Sequence, residues 1–440
     1  MPTTAAARAF DRRTDETLRS LEAGGQYKHL RTLNGAMDAE VEIRGYGKCL
    51  CFCSNNYLGL ANHPEVVEAG IEGLKRYGAG TASVRFICGT FEPHEHLEEV
   101  IARYMGTESS YTFVSCWQAT EALFPTFCEA GDYILSDALN HACIIDSIRL
   151  TPAIKKGVLK GVYKHADLAD ARARLEAARA NPEVTGQIWV VTDGVFSMEG
   201  DIADLPGLRA LCDEFDAMLI VDDSHGHGVM GKTGRGTHEH WGMVGEASDA
   251  ATERRSDGGK AASGAASAGS DPSSLRRSVA SSLPPDIFTG TLGKALGGAA
   301  GGFIAGAKRC SELLIQRGRP TLFSNALPVS VACSAAKAIE IVLREPERVQ
   351  RLKDNTAYAR EQIRGAGFDV LESPTAICPI IVHDTAKAIA MSKRLLELGV
   401  FVIGFGYPVV PEGEARLRVQ ISAAHTRQHI DRLVDTLKRL

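Results

Sequence analysis

The sequence predicts an α/β protein, with a large domain built on a parallel sheet and a smaller C-terminal α+β domain. Three observations carry this. Ile188–Thr192 and Met218–Val221 are short, continuously apolar runs, the pattern of strands buried on both faces. Between them Leu205, Leu208, Leu211, Cys212 and Phe215 recur at helical spacing, so strand, helix and strand follow with short connections, as a parallel crossover requires. From about residue 335 that rhythm gives way to a more mixed order of strands and helices.

In chain order, residues 1–60 read as an N-terminal segment, a helix followed by a strand over Cys49–Cys53. Alternation puts Cys49, Cys51 and Cys53 on one strand face. No second cluster or His pair completes a zinc site, so a half-buried strand is expected there and no metal. Residues 61–334 make up the large domain. Its Met218–Val221 strand ends in Asp222-Asp223-Ser224-His225. Ligands of parallel sheets gather at the carboxyl ends of strands, where Asp193, Asp222 and His225 would fall. Within this domain residues 246–283 are dominated by Ala, Ser, Gly and Asp and lack aromatic residues and apolar periodicity. Such a stretch cannot bury enough surface to offset its chain entropy, and a disordered surface insertion is expected. Residues 335–440 form the C-terminal domain, with strands at Pro379–Val382, Phe401–Ile403 and Arg416–Ile421 and helices at Thr385–Leu398 and Arg427–Leu440. No internal repeat is evident.

Composition narrows the class of function. The 440 residues carry a net charge of -5, with 44% hydrophobic and 23% charged residues. That gives no basic field for nucleic acid or an acidic membrane, which leaves small molecules as the expected substrates. No apolar run approaches the roughly 18 residues of a membrane span. Arg8, Arg12 and Arg13 among Ala and Thr faintly resemble a transit peptide, but Asp11, Asp15 and Glu16 count against one. Eleven cysteines, an odd number scattered in apolar context, fit a reducing compartment, and a cytoplasmic location is expected.

Five motifs carry candidate chemistry, and each also has a plain structural reading. In Thr289-Gly-Thr-Leu-Gly-Lys-Ala-Leu-Gly-Gly298, Lys294 stands alone among small residues that let backbone approach a ligand. It is either a Schiff-base lysine or a solvated lysine in a glycine-rich turn. Asp222, at a buried strand end, needs a charged partner: a protonated pyridine nitrogen or an arginine. His225 lies three residues on, within reach of a ring oxygen or simply at the surface. His141, in Asn140-His141-Ala-Cys-Ile-Ile-Asp146, stacks on a ring or caps a helix. Ser115-Cys116-Trp117 leads into a helix whose N-terminus suits a phosphate. Arg416, Arg418 and Gln420 share one face of a strand, either a carboxylate clamp or an exposed polar face. Together the five supply a phosphate site, a stacking ring, a nitrogen partner, a lysine and a carboxylate clamp.

With those residues in hand, the chain resembles the α-oxoamine synthases among the fold-type I pyridoxal-phosphate (PLP) enzymes. The stretches that carry this are Cys53-Ser-Asn-Asn-Tyr-Leu-Gly-Leu-Ala-Asn-His63, Ala79-Gly-Thr-Ala-Ser-Val-Arg-Phe-Ile-Cys-Gly-Thr90 and Ile134-Leu-Ser-Asp-Ala-Leu-Asn-His141. Further on come Thr192-Asp-Gly-Val-Phe-Ser-Met198, the Lys294 segment, Arg319-Pro-Thr-Leu-Phe-Ser-Asn325 and Tyr407-Pro-Val-Val-Pro411. The match covers nearly the whole chain except 246–283.

The resemblance implies a mostly parallel seven-stranded sheet and PLP as cofactor. It implies that backbone at Cys116 and Trp117 holds the phosphate with Thr291, and that His141 stacks on the ring. Ser197 and His225 contact the ring oxygen side, Asp222 pairs with the ring nitrogen and Lys294 forms the Schiff base. Ser324 and Asn325 reach into the neighbouring subunit's site, which makes a homodimer with shared active sites. Arg418 binds the amino-acid carboxylate, Asn55 and His141 contact substrate, and Arg416 is left as an exposed neighbour. The implied reaction condenses an amino acid, glycine, with an acyl-CoA, acetyl-CoA, to a 2-amino-3-oxo product and CoA, or reverses it in threonine breakdown. Trp117-Gln118, where the family branch has Phe-Asp, and Gly226-His227-Gly228, where it has Ala-Val-Gly, put the acyl donor in doubt. An alanine- or serine-dependent synthase with a longer acyl donor is the alternative. A non-catalytic partner subunit has no physical need to retain Lys294, Asp222 and His225.

Overall fold

In a computed structural model of the chain, residues 4–244, 283–407 and 409–440 are described. The insertion expected over 246–283 therefore lies outside the described residues, apart from Leu283. Two strands lead the chain, β1 (Glu40–Ile43) and β2 (Gly47–Cys51). Then come β3 (Ser109–Phe113), β4 (Tyr133–Asp137), β5 (Leu159–Tyr163), β6 (Ile188–Asp193), β7 (Ala217–Asp222), β8 (Ile287–Thr291) and β9 (Gly302–Gly306). The last four are β10 (Ile377–His383), β11 (Val400–Phe401), β12 (Ile403–Phe405) and β13 (Ala415–Gln420).

Among the described residues these strands form three sheets. The central sheet has seven strands in the order β3-β9-β8-β7-β6-β4-β5, and only β9 runs against its neighbours. The mostly parallel sheet expected from sequence is thus present. Its apolar strands are buried on both faces, as their uninterrupted hydrophobic runs require. Leu135, Val190, Leu219 and Val221 feed one core layer, and Ile134, Val191, Ile220 and Ile304 feed the other. Register matters most at the carboxyl ends, where Asp193 pairs with Asp222 and Asp222 with Thr289. Three polar residues thereby line up across adjacent strands.

Two expectations need correction. The run Phe401–Ile403 is not one strand. It divides into β11, which pairs with β2 of the N-terminal segment, and β12, which pairs with β13. Main-chain partners decide that split, and for β11 they lie hundreds of residues away in sequence. The proposed boundary at 334/335 falls inside helix Val329–Arg344, which packs on helices Pro64–Tyr77 and Glu92–Met105 of the large domain. No helix among the described residues is long and apolar enough to cross a membrane.

Candidate active site

One cavity opens at the carboxyl ends of β6, β7 and β8, and Lys294 and Asp222 both line it. Lys294 follows β8 in a turn where Gly297 and Gly298 take φ values of +107° and +70°, conformations that favour glycine. Burial pushes its ammonium below the usual lysine range, against the opposing pull of Asp222. A buried lysine with weakened basicity is suited to nucleophilic and proton-transfer work.

Asp222 ends β7 and is buried. Its Oδ1 accepts the Ser224 N–H at 3.0 Å, and Oδ2 meets the thiols of Cys116 at 3.7 Å and Cys143 at 3.9 Å. Burial alone would raise its pKa, but hydrogen bonding from Ser224 and the charge of Lys294 outweigh it and hold the carboxyl below its ordinary value. The neighbouring Asp193 goes the other way, pushed well up by burial and by the charge of Asp222. Its Oδ2 accepts the His141 N–H at 2.9 Å. Two adjacent carboxyls are thus shifted in opposite directions by their surroundings.

His141 caps helix Ala142–Ile154, its Nδ1 accepting the Cys143 N–H at 3.2 Å. Burial lowers its pKa, so the ring is neutral. Trp117 meets it edge-on at 6.4 Å. Asn140 locks this corner, donating to Ser136 Oγ and Val191 O at 2.9 Å each and accepting the Asp193 N–H at 2.7 Å.

His225 is oriented by a chain of hydrogen bonds from the C-terminal unit. Gln420 Nε2 donates to Asn55 Oδ1 at 2.6 Å and to the Tyr57 hydroxyl at 2.9 Å. Tyr57 Oη lies 2.9 Å from His225 Nδ1. Since the amide nitrogen only donates, the tyrosine proton goes to Nδ1, and this assignment leaves the imidazole proton on Nε2. Burial first, and the positive charges of Lys294 and Arg418 next, push the His225 pKa well down, so the ring is a neutral donor.

The donor set fits pyridoxal phosphate on three observations. The thiols that meet Oδ2 of Asp222 are weak donors, and a protonated ring nitrogen would suit that buried carboxylate. Cys116 and Trp117 hold the first two positions of helix Cys116–Phe127, where N–H groups have no intrahelical acceptor. Beside them Gly302 leaves a cradle: a Cβ there would fall 2.3 Å from Cys116 N. Thr291 and Ser197 also line the cavity. Arg418 is 7% exposed, and its Nε and Nη2 have no hydrogen-bond partner among the described residues. A buried guanidinium so placed is short of an anion.

Some expected placements differ. Arg416 is not an exposed neighbour of Arg418, being 1% exposed with Nη1 donating to Met198 O and its charge paired with Glu199 and Glu414. All of β13 is buried, because the face expected to be polar packs against the large domain. Ser324 accepts from Gln118 Nε2 of its own chain at 3.3 Å, and Asn325 is exposed, so neither lines the cavity of this single chain. Tyr57, Asn140 and Cys143 had no assigned role from sequence. Tyr57 lies inside the Cys53–His63 stretch, but its partner His225 is visible only in three dimensions.

The family model for class I and II aminotransferases matches residues 47–437. The chain is 39% identical over 431 residues to the 2-amino-3-ketobutyrate coenzyme A ligase of Salmonella typhimurium, covering 98% of this chain and 97% of that one. It is 37% identical over 425 residues to an 8-amino-7-oxononanoate synthase of Alkaliphilus metalliredigens, covering 97% and 95%. A solved structure described as SPT with PLP internal aldimine superposes with a TM-score of 0.82 at 26% identity, over 99% of this chain and 98% of that one.

Proposed function

Because the chain belongs to the class I and II aminotransferase family, in its α-oxoamine synthase branch, we propose that it joins glycine to the acetyl group of acetyl-CoA or runs the reverse cleavage. This is a glycine C-acetyltransferase-like activity. The observation that carries it is the buried, partly unpartnered guanidinium of Arg418, whose charge bears on both Lys294 and His225. An amino-acid carboxylate is the anion it lacks. The similarity to 2-amino-3-ketobutyrate coenzyme A ligase favours glycine and an acetyl donor over alanine or serine with a longer one.

Pyridoxal phosphate, when bound, supplies an electron-accepting ring that stabilises negative charge on the amino acid's α-carbon. The amides of Cys116 and Trp117, with Thr291, would hold its phosphate. His141 would lie against its ring, Asp222 would keep the ring nitrogen protonated, and Ser197 and His225 would meet the ring-oxygen side. Lys294 would carry the cofactor and then take the α-proton on Nζ, which its weakened basicity allows. Arg418 and Asn55 would fix the amino acid so that the α-proton points at that amine. His225, donating from Nε2, is suited to polarise the thioester carbonyl. As the new carbon–carbon bond forms, the carbon–sulfur bond breaks and CoA leaves with a proton.

A homodimer completes the proposal. Phe86, Ile87, Trp117 and Phe323 are 56%, 69%, 44% and 73% exposed, and helix Arg319–Phe323 packs on both the Arg85–Gly89 turn and helix Cys116–Phe127, whose Trp117 lines the cavity. Large exposed apolar groups on adjoining elements favour burial against a second copy, with Ser324 and Asn325 delivered to its site. The purified enzyme should be screened with glycine, alanine and serine against acetyl-CoA and longer acyl-CoAs, following free thiol. Glycine with acetyl-CoA should give the highest kcat/KM. Preference for serine or alanine with a long acyl donor would reject the assignment.

A further inference from the structure

We infer that Arg416 is a positioning residue, tying the strand that carries Arg418 to the turn that carries Ser197. The inference rests on the proposed function in one respect, that Ser197 meets the cofactor and Arg418 the amino acid.

Ser197 lies in a tight turn of the large domain. The Phe196 N–H donates to Asp201 O at 3.0 Å and the Gly200 N–H to Phe196 O at 2.8 Å. Gly200 sits at φ +79°, and a Cβ there would meet Ser373 Oγ, Thr375 Oγ1 and Ile377 O at 3.0–3.1 Å. The turn thus presses its main chain directly against the C-terminal unit.

Three side chains of that unit hold it. Arg416 Nη1 donates to Met198 O at 3.1 Å and lies 3.4 Å from Glu199 Oε1. Thr375 Oγ1 donates to Gly200 O at 2.9 Å, and Ser373 Oγ donates to the same oxygen. On the far side, Asp201 Oδ2 meets His165 Nε2 at 2.8 Å, and His165 Nδ1 meets Asp137 Oδ1 at 3.0 Å. Asp137 ends β4, so the central sheet grips the other end of the turn.

Arg416 is the hold best placed to transmit position. Its other donors are used on its own strand's approach, Nε to Glu414 O and Nη2 to Glu414 Oε2, both at 3.0 Å. The guanidinium is therefore a rigid plate between Glu414 and Met198, with both ends anchored. Arg416 and Arg418 are two residues apart on one strand and point to the same face. A displacement of β13 moves both together. When a carboxylate draws on Arg418, Arg416 carries that strain to the main chain beside Ser197. A merely stabilising ion pair would not need the main-chain oxygen of Met198.

The test uses the cofactor-loaded enzyme with Arg416→Met and Arg416→Lys. Hydrogen–deuterium exchange of the 196–201 amides, read without substrate, should rise about tenfold in the Met variant, the scale of one lost charge-assisted hydrogen bond to a partly buried oxygen. The pH midpoint of the cofactor's visible absorbance should shift, and glycine KM should rise. The Lys variant should recover part of each change. A folded Met variant with unchanged exchange and an unchanged midpoint overturns the positioning role. So does a loss of exchange protection spread evenly over the whole C-terminal unit, which marks a merely structural residue. If the Met variant does not fold, Arg416→Gln takes its place, and unchanged exchange with an unchanged midpoint there overturns the inference. Should exchange and midpoint shift while glycine proves not to be the substrate, the proposed function falls and the positioning role stands. Should exchange stay unchanged with glycine turnover intact, the positioning role falls and the proposed function stands.

Discussion

Replacing Arg418 with alanine should weaken glycine binding far more than acetyl-CoA binding. This guanidinium is buried, and among the described residues its Nε and Nη2 meet no acceptor, so those N–H groups can turn to a carboxylate. A charge-assisted bidentate pair contributes on the order of 1.5–3 kcal/mol net. At about 1.4 kcal/mol per decade, glycine KM should rise roughly ten- to a hundredfold. Turnover should fall as well, since an unclamped amino acid presents its α-proton poorly to Lys294. Glycinamide sharpens the measurement. Wild type should discriminate strongly against it, because a neutral amide leaves the guanidinium unpaired, and the alanine variant should discriminate far less. Because the charge of Arg418 lowers the pKa of Lys294, the variant's spectral midpoint should also move to higher pH. Arg416, buried and ion-paired, does not serve as the quiet comparison. Arg394 does: it pairs with Glu397 on an exposed helix face, where such pairs contribute little. If glycine KM is unchanged, or if acetyl-CoA KM rises in its place, the carboxylate assignment is wrong.

Asp222→Asn should retain cofactor but lose on the order of a hundredfold in turnover, since the ring nitrogen loses its anionic partner when charge flows into the ring. Near-normal exchange of the glycine α-proton in D2O would contradict this. Tyr57→Phe should leave His225 Nδ1 buried without its 2.9 Å donor and lower kcat/KM about tenfold, the scale of one buried hydrogen bond. An unaltered pH–rate profile would show that the hydroxyl does not set the histidine's proton. For His165, burial lowers the pKa but hydrogen bonds to Asp137 and Asp201 more than compensate, holding it up to about 10. A raised pKa stabilises the fold fully below the unfolded value of about 6.5, and that stability is lost as pH climbs toward the folded value. The thermal midpoint gap between wild type and His165→Ala should therefore narrow from pH 6 to pH 10, and a constant gap would refute the ion-pair account.

Much of the architecture was legible because it is written locally. A continuous apolar run such as Ile188–Thr192 has few fates other than a strand covered on both faces, and it appears as β6, extended by one residue. The Lys294, Asp222 and His225 segments could be picked out because glycine content, charge at a strand end and long motif stretches are all properties of adjacent residues. Tertiary structure decided what depends on neighbours distant in the chain. Arg416 and Arg418 have the same alternation and the same chemistry. One is saturated by Met198, Glu199 and Glu414 because a turn two hundred residues away packs over it, and the other has two nitrogens that meet no acceptor among the described residues. Phe401 and Ile403 belong to different sheets because their main-chain partners are β2 and β13. The proton on His225 follows from residues 57 and 420, and the opposite pKa shifts of Asp193 and Asp222 follow from a shared strand register. Sequence determined which residues were able to take part and which segments would be strands. Burial, charge state and free hydrogen-bonding capacity depend on what lies within a few ångströms, and only the packed chain sets that distance.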